Sequence, residues 1–342
     1  MKLIAAPFTP FTHQSDLNPS MVAPMAGWLK SQGVDGVFVN GTTGETASLT
    51  MSERLQMSQA WVEAGKESGL EIMVHVGDNA LGNARELASQ AAAQGADALG
   101  VMAPYFFKPS DVGSLVGWVE TIAQQAPQCP MYYYHIPGMT GVDVSMESFL
   151  EVALPRIPNL RGVKYSQVNP MDMLACLQRW GEQIEIYYGS DETMIHALLL
   201  GAHGAIGSSY NFAAPLYRRL IQAFQEGDLS LARRLQYASS RMVSHLSEKG
   251  YLSATKQLMR IHGWDLGPTR PPLTPLDAID CLMDGCRCSR YDADADSQST
   301  RPPKRFTTTR ERTNTRKHRT RPPFTEPNRT DVPRPRETRG AT

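Results

Sequence analysis

Several features of other protein classes are scarce or missing in this chain, and each absence narrows the possible functions. Only 5 of its 342 residues are cysteine, and this odd number gives no disulfide framework, so we expect free thiols and a reducing compartment. No run of about 20 apolar residues occurs, so the sequence predicts no membrane-spanning helix. The N-terminal apolar run, which Pro7 and Pro10 interrupt, lacks the basic region and cleavage site of a secretion signal. We therefore expect a cytoplasmic protein.

A net charge is also missing. Lys plus Arg and Asp plus Glu both number 34, so nothing in the overall charge draws the chain to nucleic acid or to an anionic membrane. Residues 301–342 are the exception, with 13 basic against 4 acidic residues. The segment 289–342 is rich in Arg, Thr and Pro and has no apolar periodicity, which predicts a disordered basic tail. The tail is either an arm for an anionic partner or a plain solvated extension, and we favour the extension.

Sequence motifs for nucleotide and metal chemistry are absent as well. The chain has no P-loop, no G-x-G-x-x-G fingerprint and no HExxH. Cys286 and Cys288 form a lone pair without a second pair at zinc spacing. We therefore expect neither a nucleotide site of these types nor a zinc site.

What the chain does contain is a regular alternation of short apolar runs and helical patterns. The runs are 3–8, 36–40, 72–77, 98–103, 131–134, 162–164, 184–188 and 204–207. Each run is apolar throughout, as in strands of a parallel sheet that are buried on both faces. Eight strand-to-helix units within about 210 residues indicate a closed (β/α)8 TIM barrel, because a doubly wound open sheet usually has fewer.

The predicted domain organisation has three parts. Residues 1–210 form the barrel core, 211–288 form the final barrel helix and a C-terminal helical appendage, and 289–342 form the disordered basic tail. Thr50 and Glu53 have the spacing of a capping box, which predicts the start of a helix there.

Lys164 is the most informative candidate for chemistry. It ends the sixth apolar run, and active sites of such barrels lie at the C-terminal ends of the strands. Burial there would lower the pKa of the amine, and a neutral amine can attack a ketone and form an imine. A lone lysine at a strand end would more simply point outward, but the neighbouring motifs favour the reactive interpretation.

Two of these motifs supply hydroxyl groups. Thr42 and Thr43, within a glycine-rich loop, offer hydroxyls and backbone amides suited to a carboxylate such as that of pyruvate, although the same sequence is compatible with a simple turn. Tyr134 could relay a proton to a substrate hydroxyl. Since alternate strand residues face the lumen, at least one tyrosine of 132–134 should face away. His75 and His135 also follow strands, and we interpret both as structural.

The motifs GTTGE, YHIPGMTGV, GVKYS, GSDE and GAIGSSYN together resemble the N-acetylneuraminate lyase branch of the superfamily that also contains dihydrodipicolinate synthase. The resemblance runs from about Leu3 to Asp280 and does not include the tail. It implies a homotetrameric barrel, without a metal or an organic cofactor, that cleaves N-acetylneuraminate to pyruvate and N-acetylmannosamine through an imine on Lys164. The small-molecule partners are thus sialic acid and pyruvate, and 105–107 lie where relatives have residues near a subunit contact.

The resemblance also implies a role for individual residues. Lys164 and Tyr134 match the catalytic residues, and Thr42 and Thr43 match the pair that holds the pyruvate carboxylate. The remaining matches to substrate-binding residues are Ser166, Gly189, Asp191, Glu192 and Ser208. Adjacent carboxylates are good acceptors for a polyol and poor partners for an anionic second substrate.

Some positions depart from the patterns of relatives. The synthase branch has an arginine two residues after the proline of its tyrosine motif, where this chain has Met139, so a synthase is disfavoured. Ser166, Ser190 and Ser209 replace residues common in relatives, which leaves the exact sugar acid open. Another pyruvate-dependent aldolase, acting on a 2-keto-3-deoxy sugar acid, is the alternative within enzymes. An idle barrel that binds a partner through its tail is the alternative outside them.

Overall fold

The chain folds into a closed barrel of eight parallel strands. The structure, a computed structural model, describes residues 1–276. Within them each strand pairs with its neighbour in sequence, and the eighth strand closes the barrel on the first. The predicted TIM barrel is confirmed. The last part of the predicted helical appendage, residues 277–288 with their three cysteines, and the predicted tail 289–342 lie outside the described residues.

Strands and helices alternate along the chain. The strands are β1 (Lys2–Ala5), β2 (Gly36–Val39), β3 (Glu71–His75), β4 (Ala98–Met102), β5 (Met131–His135), β6 (Leu160–Tyr165), β7 (Glu185–Tyr188) and β8 (Gly204–Gly207). The helices are α1 (Val22–Ser31), α2 (Met51–Ser68), α3 (Leu81–Gln94), α4 (Val112–Ala123), α5 (Pro137–Thr140), α6 (Met146–Ala153), α7 (Pro170–Trp180), α8 (Met194–Leu200), α9 (Tyr210–Gln225), α10 (Leu229–Glu248) and α11 (Tyr251–Ile261). Short 3-10 helices cover Pro19–Met21, Thr46–Ser48 and Asp191–Thr193.

All eight predicted strands are present, and their ends differ from the prediction for identifiable reasons. β1 ends at Ala5, before Pro7, which has no N–H to continue the ladder. β6 begins at Leu160, two residues before the predicted start. The apolar pattern misses this start because the exposed Arg161 lies at a register shift against β5. No helix within residues 1–276 is both long enough and apolar enough to cross a membrane.

The helix predictions also hold. Thr50 accepts a hydrogen bond from the amide of Glu53, and the Glu53 carboxylate accepts one from the amide of Thr50 at 2.9 Å, so the capping box is present. After the barrel the chain is helical through α9, α10 and α11. These helices pack on one another, and α10 also packs on the 3-10 helix Asp191–Thr193.

Large side chains fill the barrel interior where neighbouring strands carry glycine. The interior cluster includes Ile4, Phe38, Met73, Tyr132, Tyr134, Tyr187 and Ile206. A Cβ atom at Gly100 would lie 2.5 Å from the Phe38 ring, so only glycine leaves room for that ring. Tyr133 faces outward and stacks on Phe149 with ring centroids 4.4 Å apart, as expected from strand alternation. The rings of Phe38 and Tyr134 thereby form the floor of the barrel mouth.

We expect Gly162→Ala to destabilise the barrel, because the added Cβ would overlap the Glu185 carbonyl oxygen and lie 2.8 Å from the Tyr132 ring. Such overpacking should cost about 1–3 kcal/mol of the free energy of unfolding, measured by urea denaturation. Gly82→Ala in α3 is the matched control, since a Cβ there meets nothing within 4 Å. The control should gain about 0.4–1 kcal/mol. Equal stabilities of the two variants would contradict the proposed packing of the interior.

Candidate active site

Lys164 lies at the C-terminal end of β6 and enters the barrel mouth, as the sequence predicts. Its side chain is only 4% exposed. Tyr134 of β5 is its partner in the strand ladder, and the Lys164 Nζ atom lies 3.9 Å from the centroid of the Tyr134 ring. On another side the same atom lies 4.2 Å from the centroid of the Phe38 ring. Two aromatic rings therefore lie against the amine, which is almost fully buried.

This enclosure determines the protonation of Lys164. Burial lowers the pKa of the amine below that of a free lysine, because the apolar surroundings disfavour the ammonium form. The hydroxyl of Tyr134 and the carboxylate of Asp191 oppose the shift but do not cancel it. More of the amine is therefore neutral near physiological pH than in a solvent-exposed lysine, and the neutral form is the nucleophile.

The loop after β2 meets Lys164 through Tyr134. The hydroxyls of Thr42 and Tyr134 lie 3.1 Å apart, within hydrogen-bond distance. Thr43, in the same loop, is buried. A ligand held by this loop would consequently lie beside both the phenol and the amine.

Asp191 is held firmly at the end of β7. One of its carboxylate oxygens accepts hydrogen bonds from the Ser209 amide at 2.9 Å and from the Ser209 hydroxyl at 2.5 Å. The other oxygen packs on Gly207, where any Cβ would overlap the carboxylate. Burial raises the pKa of Asp191, although the bonds from Ser209 and the nearby charge of Lys164 oppose the rise. Asp191 is thus a fixed, buried acceptor.

The other predicted substrate-binding residues line the same rim. Glu192 is half-buried, and burial raises the pKa of its carboxyl group, with Asp191 adding to the rise. The Ser208 hydroxyl lies 2.8 Å from the phenol oxygen of Tyr251. A Cβ at Gly189 would overlap the Ser166 hydroxyl, so these two residues are in close contact.

Ser166 has a feature that suits it to binding. Its hydroxyl is buried and has no hydrogen-bond partner within residues 1–276. Buried polar groups are normally paired, so the Ser166 hydroxyl retains the capacity for a further hydrogen bond.

The structure also locates residues that the sequence did not single out. Phe38 could have been found from strand alternation. It is two residues after Gly36 on β2, so the two residues lie on the same face of the strand. Tyr251 lies at the start of α11, far along the chain from Ser208, so no local sequence pattern predicts their contact.

The two histidines take structural positions. His75 is fully buried, its Nδ1 lies 3.0 Å from the Asn40 carbonyl oxygen, and burial keeps its pKa well below the usual value. His135 faces away from the lumen and contacts Gln167 at 2.8 Å. Both agree with the structural interpretation.

A barrel with a buried lysine at the end of β6, a phenol against it and a hydroxyl-bearing loop defines an imine-forming enzyme of the class I aldolase type. A family model described as the dihydrodipicolinate synthetase family matches residues 1–280. The chain belongs to this family, in the branch that contains the N-acetylneuraminate lyases.

Three similar proteins, all N-acetylneuraminate lyases, support this assignment to the family. Human N-acetylneuraminate lyase is 39% identical over 275 residues, which cover 79% of this chain and 86% of the human protein. The solved structure of Proteus mirabilis N-acetylneuraminate lyase has a TM-score of 0.80 and 37% identity, covering 83% of this chain and 95% of that one. The structure of N-acetylneuraminate lyase from Aliivibrio salmonicida has a TM-score of 0.81 and 36% identity, covering 85% of this chain and 97% of that one.

The lowered pKa of Lys164 can be measured directly. We expect its acetylation by acetic anhydride, followed across a pH series by peptide mass spectrometry, to have a midpoint below that of free lysine amide in the same tube. Asp191→Asn should move the midpoint further down, because the carboxylate raises the pKa of Lys164. A midpoint at or above that of the free amine would refute the proposed effect of burial.

Proposed function

We propose that this protein is a Schiff-base lyase that cleaves N-acetylneuraminate to N-acetylmannosamine and pyruvate through an imine on Lys164. The observation that carries the proposal is the buried amine of Lys164 against the Tyr134 ring, at 3.9 Å. A relative with 39% identity over most of its length is an N-acetylneuraminate lyase, which supports this substrate.

In the proposed reaction the neutral Lys164 amine attacks the keto carbon of the open-chain sugar acid. Loss of water leaves a protonated imine, which withdraws electrons from the adjacent carbon. Tyr134 relays a proton: its oxygen takes up the proton of the hydroxyl on the next carbon while its own phenolic proton passes through the Thr42 hydroxyl to the bound carboxylate. The bond between the carbon adjacent to the imine and the hydroxyl-bearing carbon breaks. The aldehyde N-acetylmannosamine leaves, and protonation and hydrolysis of the enamine release pyruvate and restore Lys164.

The loop with Thr42 and Thr43 is our proposed site for the pyruvate carboxylate. Thr42 lies 3.1 Å from the Tyr134 hydroxyl, so a carboxylate bound there would place its neighbouring keto carbon within reach of Lys164. The contact between Thr42 and Tyr134 also gives the phenol a second hydroxyl through which a proton can pass.

We propose that the rim residues bind the polyol part of the substrate. These residues are Ser166, Gly189, Asp191, Glu192 and Ser208. The unpaired Ser166 hydroxyl and the half-buried Glu192 carboxylate are the groups best placed to contact a ligand. Two adjacent carboxylates would repel an anionic second substrate, and Met139, which is 67% exposed, offers no positive charge to hold one. Both features support a neutral aldehyde product.

Borohydride reduction in the presence of pyruvate tests the nucleophile. We expect one stable adduct, located on Lys164 by peptide mapping, and none in Lys164→Arg, whose guanidinium stays protonated and cannot attack. The same preparation should release pyruvate from N-acetylneuraminate. Release only from a 2-keto-3-deoxy sugar acid would keep the imine chemistry and refute the substrate, whereas folded protein without an adduct would refute the enzyme.

We further propose that the protein assembles as a homotetramer. A tetramer with twofold axes needs two different contact surfaces on each subunit. Phe106 and Phe107, after β4, are 74% and 85% exposed, and the Phe106 amide donates to Asn79 at 3.1 Å, which orders the loop. Met171 of α7 and Leu199 of α8 are 79% and 65% exposed, and because these two helices contact each other we assign both residues to the second surface. Such exposed side chains favour contact with another subunit.

Solution mass tests this assembly. We expect Phe106→Ser with Phe107→Ser to lower the mass from four chains to two in light scattering, and Met171→Ser with Leu199→Ser to do the same by opening the other surface. Tyr237→Ser is the matched control, because Tyr237 of α10 is also exposed, at 64%, and belongs to neither surface. A wild-type protein that is already monomeric would refute the proposal.

A reducing, cytoplasmic location is also our proposal. Cys129 and Cys176 are free thiols in the described part of the chain, as a reducing compartment would leave them. Cell fractionation beside a cytoplasmic marker tests this, and recovery of the protein with a secreted marker would refute it.

A further inference from the structure

The loop that carries Thr42 and Thr43 is bounded by two residues with unusual backbone conformations. Asn40 has a φ of 58° and Glu45 a φ of 56°, both in the left-handed region. Within residues 1–276 the only other non-glycine residue with positive φ is Ser15. L-residues rarely adopt this conformation, so the surrounding structure must hold both ends of the loop.

The barrel wall holds the first end. The Asn40 carbonyl oxygen lies 3.0 Å from His75 of β3, and the Asn40 side-chain amide donates to the Arg54 carbonyl oxygen at 2.9 Å. Both partners belong to elements that directly follow the loop in the chain.

The second end is held by the C-terminal part of the chain instead. A carboxylate oxygen of Glu45 lies 2.7 Å from the Lys256 Nζ atom of α11. Its other oxygen accepts a hydrogen bond from the Arg270 amide at 2.9 Å. Both oxygens are thus fixed by residues outside the barrel.

The ion pair between Glu45 and Lys256 is almost fully buried. The two side chains are 1% and 2% exposed. The Lys256 amine also donates to the Pro268 carbonyl oxygen at 3.2 Å and lies 4.3 Å from the Phe11 ring centroid. Desolvating two charges costs about as much as their attraction returns, so such a pair is weak support for stability and better explained by the geometry that it imposes.

The geometry imposed here is that of the loop. Glu45 directly follows Gly44, and the Glu45 amide donates to the Thr42 carbonyl oxygen at 3.0 Å. The position of the Glu45 side chain therefore determines how the backbone between Thr42 and Glu45 turns.

We propose that Lys256 is a positioning residue, which uses its buried ion pair with Glu45 to hold the Thr42–Thr43 loop in the conformation that binds the substrate carboxylate. This inference rests on the proposed function, since it takes the loop as the carboxylate site. Lys256 itself touches no reacting atom.

A comparison of two ketones tests the proposal in the full-length protein. Acetone has a methyl group where pyruvate has its carboxylate, and both can form an imine with Lys164. The measured quantity is the ratio of the two rates of adduct formation on Lys164 under cyanoborohydride. Lys256→Met should lower this preference for pyruvate about tenfold or more, because a small displacement of the loop removes the carboxylate contact. The acetone rate should stay close to that of the wild type.

Two further variants keep the result interpretable. Glu45→Gln combined with Lys256→Met leaves no unpaired buried charge, so it should fold even where the single variant does not, and it should lose the same preference. Ser253→Ala is the matched control on α11, because it removes hydrogen bonds to the Thr269 hydroxyl at 2.8 Å and to the Thr274 carbonyl oxygen at 2.7 Å but none to the loop. The control should keep the preference for pyruvate.

The outcomes distinguish a failure of the proposed role of Lys256 from a failure of the proposed function. If the rates with both ketones fall together, so that the ratio is kept, Lys256 is only structural and the proposal is wrong. If the wild type forms an acetone adduct without preferring pyruvate, the loop is not the carboxylate site. If the wild type forms no adduct with either ketone, the proposed function fails, and this inference fails with it.

Discussion

The constraint on which the rest of this structure depends is the burial of one amine. Lys164 is 4% exposed at the end of a barrel strand, a position that disfavours a charged group. The barrel accommodates it by placing two aromatic rings against the amine. The Lys164 Nζ atom lies 4.2 Å from the centroid of the Phe38 ring and 3.9 Å from that of the Tyr134 ring. Those rings fit because Gly100 leaves space beside Phe38. The packing of the interior and the reactivity of the lysine are therefore one arrangement.

Burial acts in opposite directions on the two charged groups of the mouth. It lowers the pKa of Lys164 and raises the pKa of Asp191, and the attraction between the two groups opposes both shifts. Ser209 adds to the stabilisation of the carboxylate through two hydrogen bonds, whereas the amine has aromatic faces around it. Burial thus favours the neutral form of both groups, and for Lys164 the neutral amine is the nucleophile.

The barrel was predictable because its signal is local and periodic. Apolar runs buried on both faces gave all eight strands, and the end of β6 identified Lys164. Arg161 hid the true start of that strand, since an exposed charge at a register shift breaks the pattern. The pairing of Glu45 with Lys256 could not be predicted, because polar contacts between distant segments follow no period and depend on where the helices pack after the barrel closes.

The same contacts bear on how the chain is divided. A boundary after residue 210 separates the barrel from the helices that follow it, and by strand count this division is natural. Yet α11 brings Tyr251 to within 2.8 Å of Ser208 and Lys256 to within 2.7 Å of Glu45. Both barrel residues belong to loops that follow strands and line the mouth. Removing the appendage would therefore leave eight strands and an amine, but it would unpair the buried Glu45 carboxylate at the end of the loop whose Thr42 contacts the phenol. The C-terminal helix α11 is therefore in direct contact with two loops that follow barrel strands.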